Sequence, residues 1–233
     1  MPKRVAGRSY AGRSYLALLA ALMFVLVAYP VLRGPGGSPV LGRLLVTAVF
    51  LAGGWVVFVN RRLVFFAVLL GGPALLGVWI TGALPARHAP IAIAAFHLAA
   101  VSFHLFVVGV LVRAVYRERT VSADALAAAL CGYLLLGVAF GHAHCLVEEV
   151  IPGSFNGLTP GTSWAEFHFQ LNYFSFITLA TVGYGDITPV KDTARSLALV
   201  EAVTGQFYLA VLVADLVGKR VAQALAPESP PRE

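Results

Sequence analysis

Long apolar runs separated by short charged ones set the first limit on what this chain can fold into. Between Tyr15 and Leu225 the sequence passes through six such runs, with Lys and Arg collected mostly in the gaps. A helix that crosses a bilayer needs ~20 predominantly apolar residues, and several runs reach or exceed that length. Composition agrees: 59% of residues are hydrophobic and 12% are charged, against about 25% charged in an ordinary soluble domain. The expected fold class is therefore an all-α membrane protein. The net charge of +6 is distributed as membrane topology, in clusters at the ends of runs, and not as the basic stripe of a nucleic-acid binder.

Taken in order, residues 1–14 form a basic cytoplasmic tail with Lys3, Arg4, Arg8 and Arg13 and no acid. Spans are expected at about 15–32, 39–59, 63–84, 91–115, 122–150 and 193–225. The third is broken by Gly71-Gly72-Pro73, and Ser122 is a plausible N-cap for the fifth. The first run has the length of a span and no small-residue cleavage site, so it is expected to stay as a membrane helix. Residues 151–163 are rich in Gly, Pro, Ser and Thr and form a loop. Residues 164–178 are a short helix, with Ser163 and Glu166 at capping-box spacing. The chain divides into a tail at 1–14, a four-span domain at 15–117, a pore domain at 118–225 and a cytoplasmic tail at 226–233. Cys131 and Cys145 fall in one predicted helix, roughly 21 Å apart at ~1.5 Å per residue, too far to bridge.

Orientation follows from the basic residues. With the N-terminus inside, cytoplasmic segments hold Lys3, Arg4, Arg8, Arg13, Arg61, Arg62, Arg113, Arg117, Arg119, Lys219, Arg220 and Arg232. Outer segments hold only Arg33, Arg43, Arg87, Lys191 and Arg195. The positive-inside rule places both termini in the cytoplasm, in a multi-pass protein of the cell membrane.

Between the fifth and sixth runs, after the short aromatic helix, stands Thr181-Val182-Gly183-Tyr184-Gly185-Asp186. In a soluble protein this would be a Gly-rich turn. In this apolar setting the stretch Thr181 to Gly185 resembles the selectivity filter of potassium channels. The residue types suit that task. A dehydrating cation needs close oxygens, and backbone carbonyls provide them if a strand aims every C=O one way. Such a strand needs unusual backbone angles, which Gly183 and Gly185 adopt without a Cβ penalty. Val182 and Tyr184 would then point away from the axis and pack behind the strand, while the Thr181 hydroxyl adds an innermost ligand.

The fifth span, short helix, filter and sixth span, roughly residues 122–225, resemble the pore module of the potassium channel superfamily. The resemblance implies six transmembrane helices, a re-entrant pore helix, a filter that holds K+ at Thr181, Val182, Gly183 and Tyr184, and a six-span, bacterial-type channel without a voltage-sensor arginine repeat. One copy of the motif cannot encircle an ion, so a homotetramer is implied. The pore helix, including Phe174 to Thr178, would direct its C-terminal partial negative charge at the ion. By resemblance Tyr173 and Phe174 brace the filter, with Thr178 and Asp186 supporting it, and Gly205 sits at the family's hinge position, where close helix packing is an equal explanation. Gln206, Leu209, Val213 and Val217 are expected to face the inner cavity, the lower ones narrowing it as a dewetting gate. Two departures stand out: Ala180 replaces a second threonine, and Ile177 replaces a glutamate that some relatives pair with the aspartate matching Asp186. That pair cannot form here, which puts the stability of the outer mouth in doubt.

Residues 1–117 contain no Asp or Glu. A voltage sensor needs several charges in the field, each contributing ~2.3 kcal/mol per 100 mV. The fourth run has arginines only at its end, Arg113 and Arg117. Weak or absent voltage dependence is expected. Glu201 and Asp215 are acids inside the sixth run, with Asp215 expected to pair with Arg117 or Arg119. His88, His97 and His104 are expected to be buried, neutral and hydrogen-bonded, with pH sensing the alternative. His142, His144 and Cys145 have metal-ligand chemistry, but residues two apart do not share a helix face, so a site would need fraying there or His168 from elsewhere. No catalytic or nucleotide motif is present. The expected partners are K+ as permeant ion, membrane lipids and identical subunits, with no cofactor, nucleic acid or small-molecule substrate. The rival readings are a non-conducting regulatory subunit, a transporter and a non-selective cation channel.

Overall fold

The structure, a computed structural model, describes residues 15–33, 39–57, 61–81, 90–118 and 120–225. The tails at 1–14 and 226–233, with Arg87, His88 and Arg119, lie outside the described residues. The described residues form seven α-helices and one two-stranded ladder: α1 Tyr15–Arg33, α2 Pro39–Val57, α3 Arg61–Thr81, α4 Pro90–Arg117, α5 Ala123–Val150, β1 Phe155–Asn156, α6 Trp164–Leu179, β2 Thr188–Pro189 and α7 Asp192–Ala224. Among the described residues, five helices (α2, α3, α4, α5 and α7) are long and apolar enough to cross a membrane; the stretch Tyr15–Ala28 of α1 is apolar but shorter.

The expected break in the third run does not occur. α3 runs continuously through Pro73. A membrane helix tolerates an internal proline because neighbouring helices and local adjustment satisfy the freed backbone groups. Here the glycines around it seat α4 rings: a Cβ at Gly71 would lie 2.8 Å from Phe103, and one at Gly77 2.6 Å from Phe96.

α4 packs most extensively on α5, with α3 on its other side. Phe50, Phe96, Phe103, Leu111, Leu135 and Leu179 fill the shared core. Polar contacts pin one end of this bundle. Ser122 caps α5, its Oγ accepting from the Ala125 N–H at 3.1 Å, and Asp124 accepts from the Tyr15 N–H at 2.6 Å. Lys219 of α7 donates to the Val115 carbonyl at 2.9 Å, in the last turn of α4, where a cation complements the helix dipole. The start of α1, the end of α4, the start of α5 and the end of α7 therefore share one face, as the expected topology requires. Lys219 also pairs with Asp215 at 2.6 Å. The partner that the structure shows for Asp215 is thus the i,i+4 cation on its own helix, reachable without crossing to α4, where Arg117 or Arg119 was expected; Arg119 lies outside the described residues.

Candidate functional site: the filter and its support

α6 begins at Ser163, whose Oγ accepts from the Glu166 N–H at 3.3 Å. Its other end leads straight into residues 181–185. The Thr181 N–H donates to Thr178 O at 2.9 Å and the Val182 N–H to Ile177 O at 2.8 Å. With Ala180 as C-cap, this is a Schellman closure, in which the residue after the cap is left-handed. That residue is Thr181, with φ +56°, the one non-glycine at positive φ among the described residues. A β-branched residue there costs on the order of 1–2 kcal/mol, and such strain persists only where the surroundings enforce it. Gly183 (φ +55°) and Gly185 (φ +78°) repeat the conformation at every second residue, giving the alternating angles the sequence calls for.

Within one chain Val182 and Tyr184 do not pack behind the strand. They are 50% and 71% exposed, and all of residues 181–186 are exposed. Phe174 is buried, against Phe155 and His144. Tyr173 is half-buried on the same helix, next to Phe174.

The outer mouth has a support that the missing Ile177–Asp186 pair did not suggest. β1 and β2 pair antiparallel, Phe155 opposite Pro189 and Asn156 opposite Thr188, which ties loop 151–163 to the segment after the filter. Val190 N–H donates to Ser154 O at 2.8 Å. Gly157 (φ +87°) lies so close to the Asp186 carbonyl that no Cβ would fit. The loop is held in turn by Glu148, whose carboxylate accepts from the N–H groups of Gly153 (2.8 Å), Ser154 (2.8 Å) and Phe155 (3.2 Å).

Behind the filter a buried polar knot joins three helices. Glu201 of α7 and His144 of α5 are fully buried, and His144 Nε2 donates to Glu201 Oε2 at 2.6 Å. The Ser175 hydroxyl of α6 lies between the other Glu201 oxygen and the Gly137 carbonyl, 2.7 Å away. Sequence reasoning flagged Glu201 as costly but had no signal for its partners, which lie 57 and 26 residues away. Gly205 packs one turn further: a Cβ there would meet Leu179 O at 2.7 Å. Because α7 is helical throughout, close packing is what this structure shows at Gly205. Tyr133 donates to the same Leu179 carbonyl at 3.1 Å, and Tyr208 to Ala129 O at 2.7 Å. Gln206, Val213 and Val217 are exposed on α7 and Leu209 is half-buried.

A family model described as an ion channel matches residues 128–220. The match supports an ion channel. It spans most of α5, all of α6, residues 181–186 and nearly all of α7. No curated protein and no solved structure matches the chain.

Proposed function

We propose that the chain is a subunit of a potassium-selective channel, in which four copies surround Thr181 to Gly185. The observation that carries this reading is the left-handed backbone at 181, 183 and 185 in a stretch whose residues are all exposed in one chain. Peptide planes that turn over at every second residue can line carbonyls along one axis, and an exposed, irregular backbone at membrane depth survives only against protein or a water-filled cavity. The poor burial of α7 supports the oligomer: 3 of its 33 residues are buried within the chain, against 14 of the 28 residues of α5. Tetramer contacts and the pore cavity account for the remainder, with Gln206, Leu209, Val213 and Val217 lining the cavity. Tyr173, Phe174, Thr178 and Asp186 support the filter, and K+ is the permeant ion.

In this reading the six helices span the cell membrane, with α1 as the sixth span and both termini cytoplasmic. The absence of acids from residues 1–117 supports a four-helix domain that responds weakly or not at all to voltage. The retained glycines and tyrosine favour conduction over a silent regulatory subunit, which has no need of them. Flux from liposomes tests the reading. Purified protein should release K+ and not Na+, and Gly183→Ala should abolish release while leaving the oligomer intact. Wild-type protein that is tetrameric yet passes no K+ at any voltage would favour the regulatory subunit.

A further inference from the structure

Three histidines from three helices meet in the interior: His97 of α4, His142 of α5 and His168 of α6. One imidazole nitrogen from each lies within 4.8 Å of the other two, and all three residues are buried. We propose that they form a binding site for a transition metal ion that imidazole favours, zinc first.

The geometry distinguishes this from ordinary histidine packing. His97 Nδ1 and His142 Nδ1 are 3.3 Å apart. That is long for a hydrogen bond, whose usual N to acceptor distance is about 2.9–3.0 Å. It matches the edge of a tetrahedron around zinc, about 3.3–3.4 Å for Zn–N bonds of about 2.0–2.1 Å. His168 is set up as a ligand. Its Nδ1 faces the Trp164 carbonyl at 2.7 Å, so Nδ1 carries the proton and the lone pair is left on Nε2. Backbone or carboxylate acceptors commonly fix the tautomer of metal-ligating histidines this way. His168 Nε2, the nitrogen left with the lone pair, is buried with no hydrogen-bond partner, which a buried polar atom in an apolar interior normally avoids. The rings are already held close, His97 stacked on His168 at 5.0 Å between centroids.

Three neutral ligands leave a fourth position for water. A mostly apolar cavity of about 340 Å³ is lined in part by His142, His168 and Asn172, and it offers that water and the ion a route in. The occupied site would tie α4 to α5 and α6, and so join the first four helices to the pore helix. The sequence points to His142 and His168 as possible ligands but not to His97, which stands 45 residues before His142.

The test is zinc binding by the full-length protein in micelles after chelator treatment, read by calorimetry. One Zn2+ per subunit is expected, weakened at least ~100-fold by His97→Gln or His168→Gln, since loss of even an outer-shell partner weakens metal sites 10–100-fold. His104→Gln should change affinity only a few-fold. His104 is equally buried on α4, but its ring is outside the trio. If the trio variants do not fold, X-ray absorption on the wild-type zinc complex decides, with three imidazoles expected. No stoichiometric Zn2+ on the wild type, affinity unchanged in both trio variants, or fewer than three imidazoles would each overturn the site. None of these readouts depends on ion conduction.

Discussion

The two halves of this molecule solve the same problem with different chemistry. Helices α1 to α4 contain no acidic residue and pack through Phe, Leu, Val and Ala. Their fine positioning is left to ring-on-glycine contacts such as Phe103 on Gly71. Helices α5 to α7 and the loops between them are positioned by directional polar bonds: Glu201 with His144 and Ser175 in the buried interior, and, part-buried or exposed, Tyr208 with Ala129 and Glu148 with three loop amides. In lipid, apolar surface gives little orientation, because tails are as apolar as leucine. Directional bonds define geometry where it must be reproduced. That half is also the one that holds a strained threonine at positive φ, and strain of this kind needs a rigid surround.

The contrast can be broken most severely at Glu201. Glu201→Ala should lower stability by about 3–5 kcal/mol, because it strands His144 in a dry interior; unfolding by denaturant in micelles measures it. Next comes the outer mouth. Gly157→Ala places a Cβ into the Asp186 carbonyl and forces an L-residue to φ +87°. A loss of about 2–3 kcal/mol is expected, together with a fall in K+ over Na+ selectivity in flux assays if the β1–β2 loop supports the filter as described. The finest comparison sets two hydroxyl deletions side by side. Ser175→Ala removes a buried donor from Glu201 and Gly137 and should cost about 1–3 kcal/mol. Thr47→Val, in α2, removes a buried hydroxyl without a hydrogen-bond partner and should be neutral or stabilising. Equal losses at the two positions would erase the distinction between the halves.

Much of the fold could be read before the structure, because the signals were local. Apolar runs located the helices to within a few residues. Ser122 and Ser163 announced their caps, and the glycines at 183 and 185 announced positive φ. The misreadings share one cause. The proline at 73 is a breaker by propensity, but tertiary contact overrides propensity in a packed membrane bundle. Asp215 was assigned a partner across helices when Lys219 stood four residues away. Thr181 at positive φ was not foreseeable from its type; the Schellman closure of α6 imposes it. Around residues 181–186, Glu148, Ser154, Gly157 and Ser175 escaped notice, and His144 was read only for metal-ligand chemistry, because each acts through a residue that the local pattern does not reveal. A polar residue in an apolar run shows that a partner exists and does not say which.

The central claim is that residues 181–185 select potassium while the four preceding helices do not sense voltage. Recording from purified protein in a planar bilayer, with K+ on one side and Na+ on the other, tests both parts at once. The account predicts a current that reverses near the potassium equilibrium potential and a conductance that changes little between strongly negative and strongly positive voltages. Reversal near zero would contradict the filter assignment. Steep dependence of opening on voltage would contradict the reading of residues 1–117.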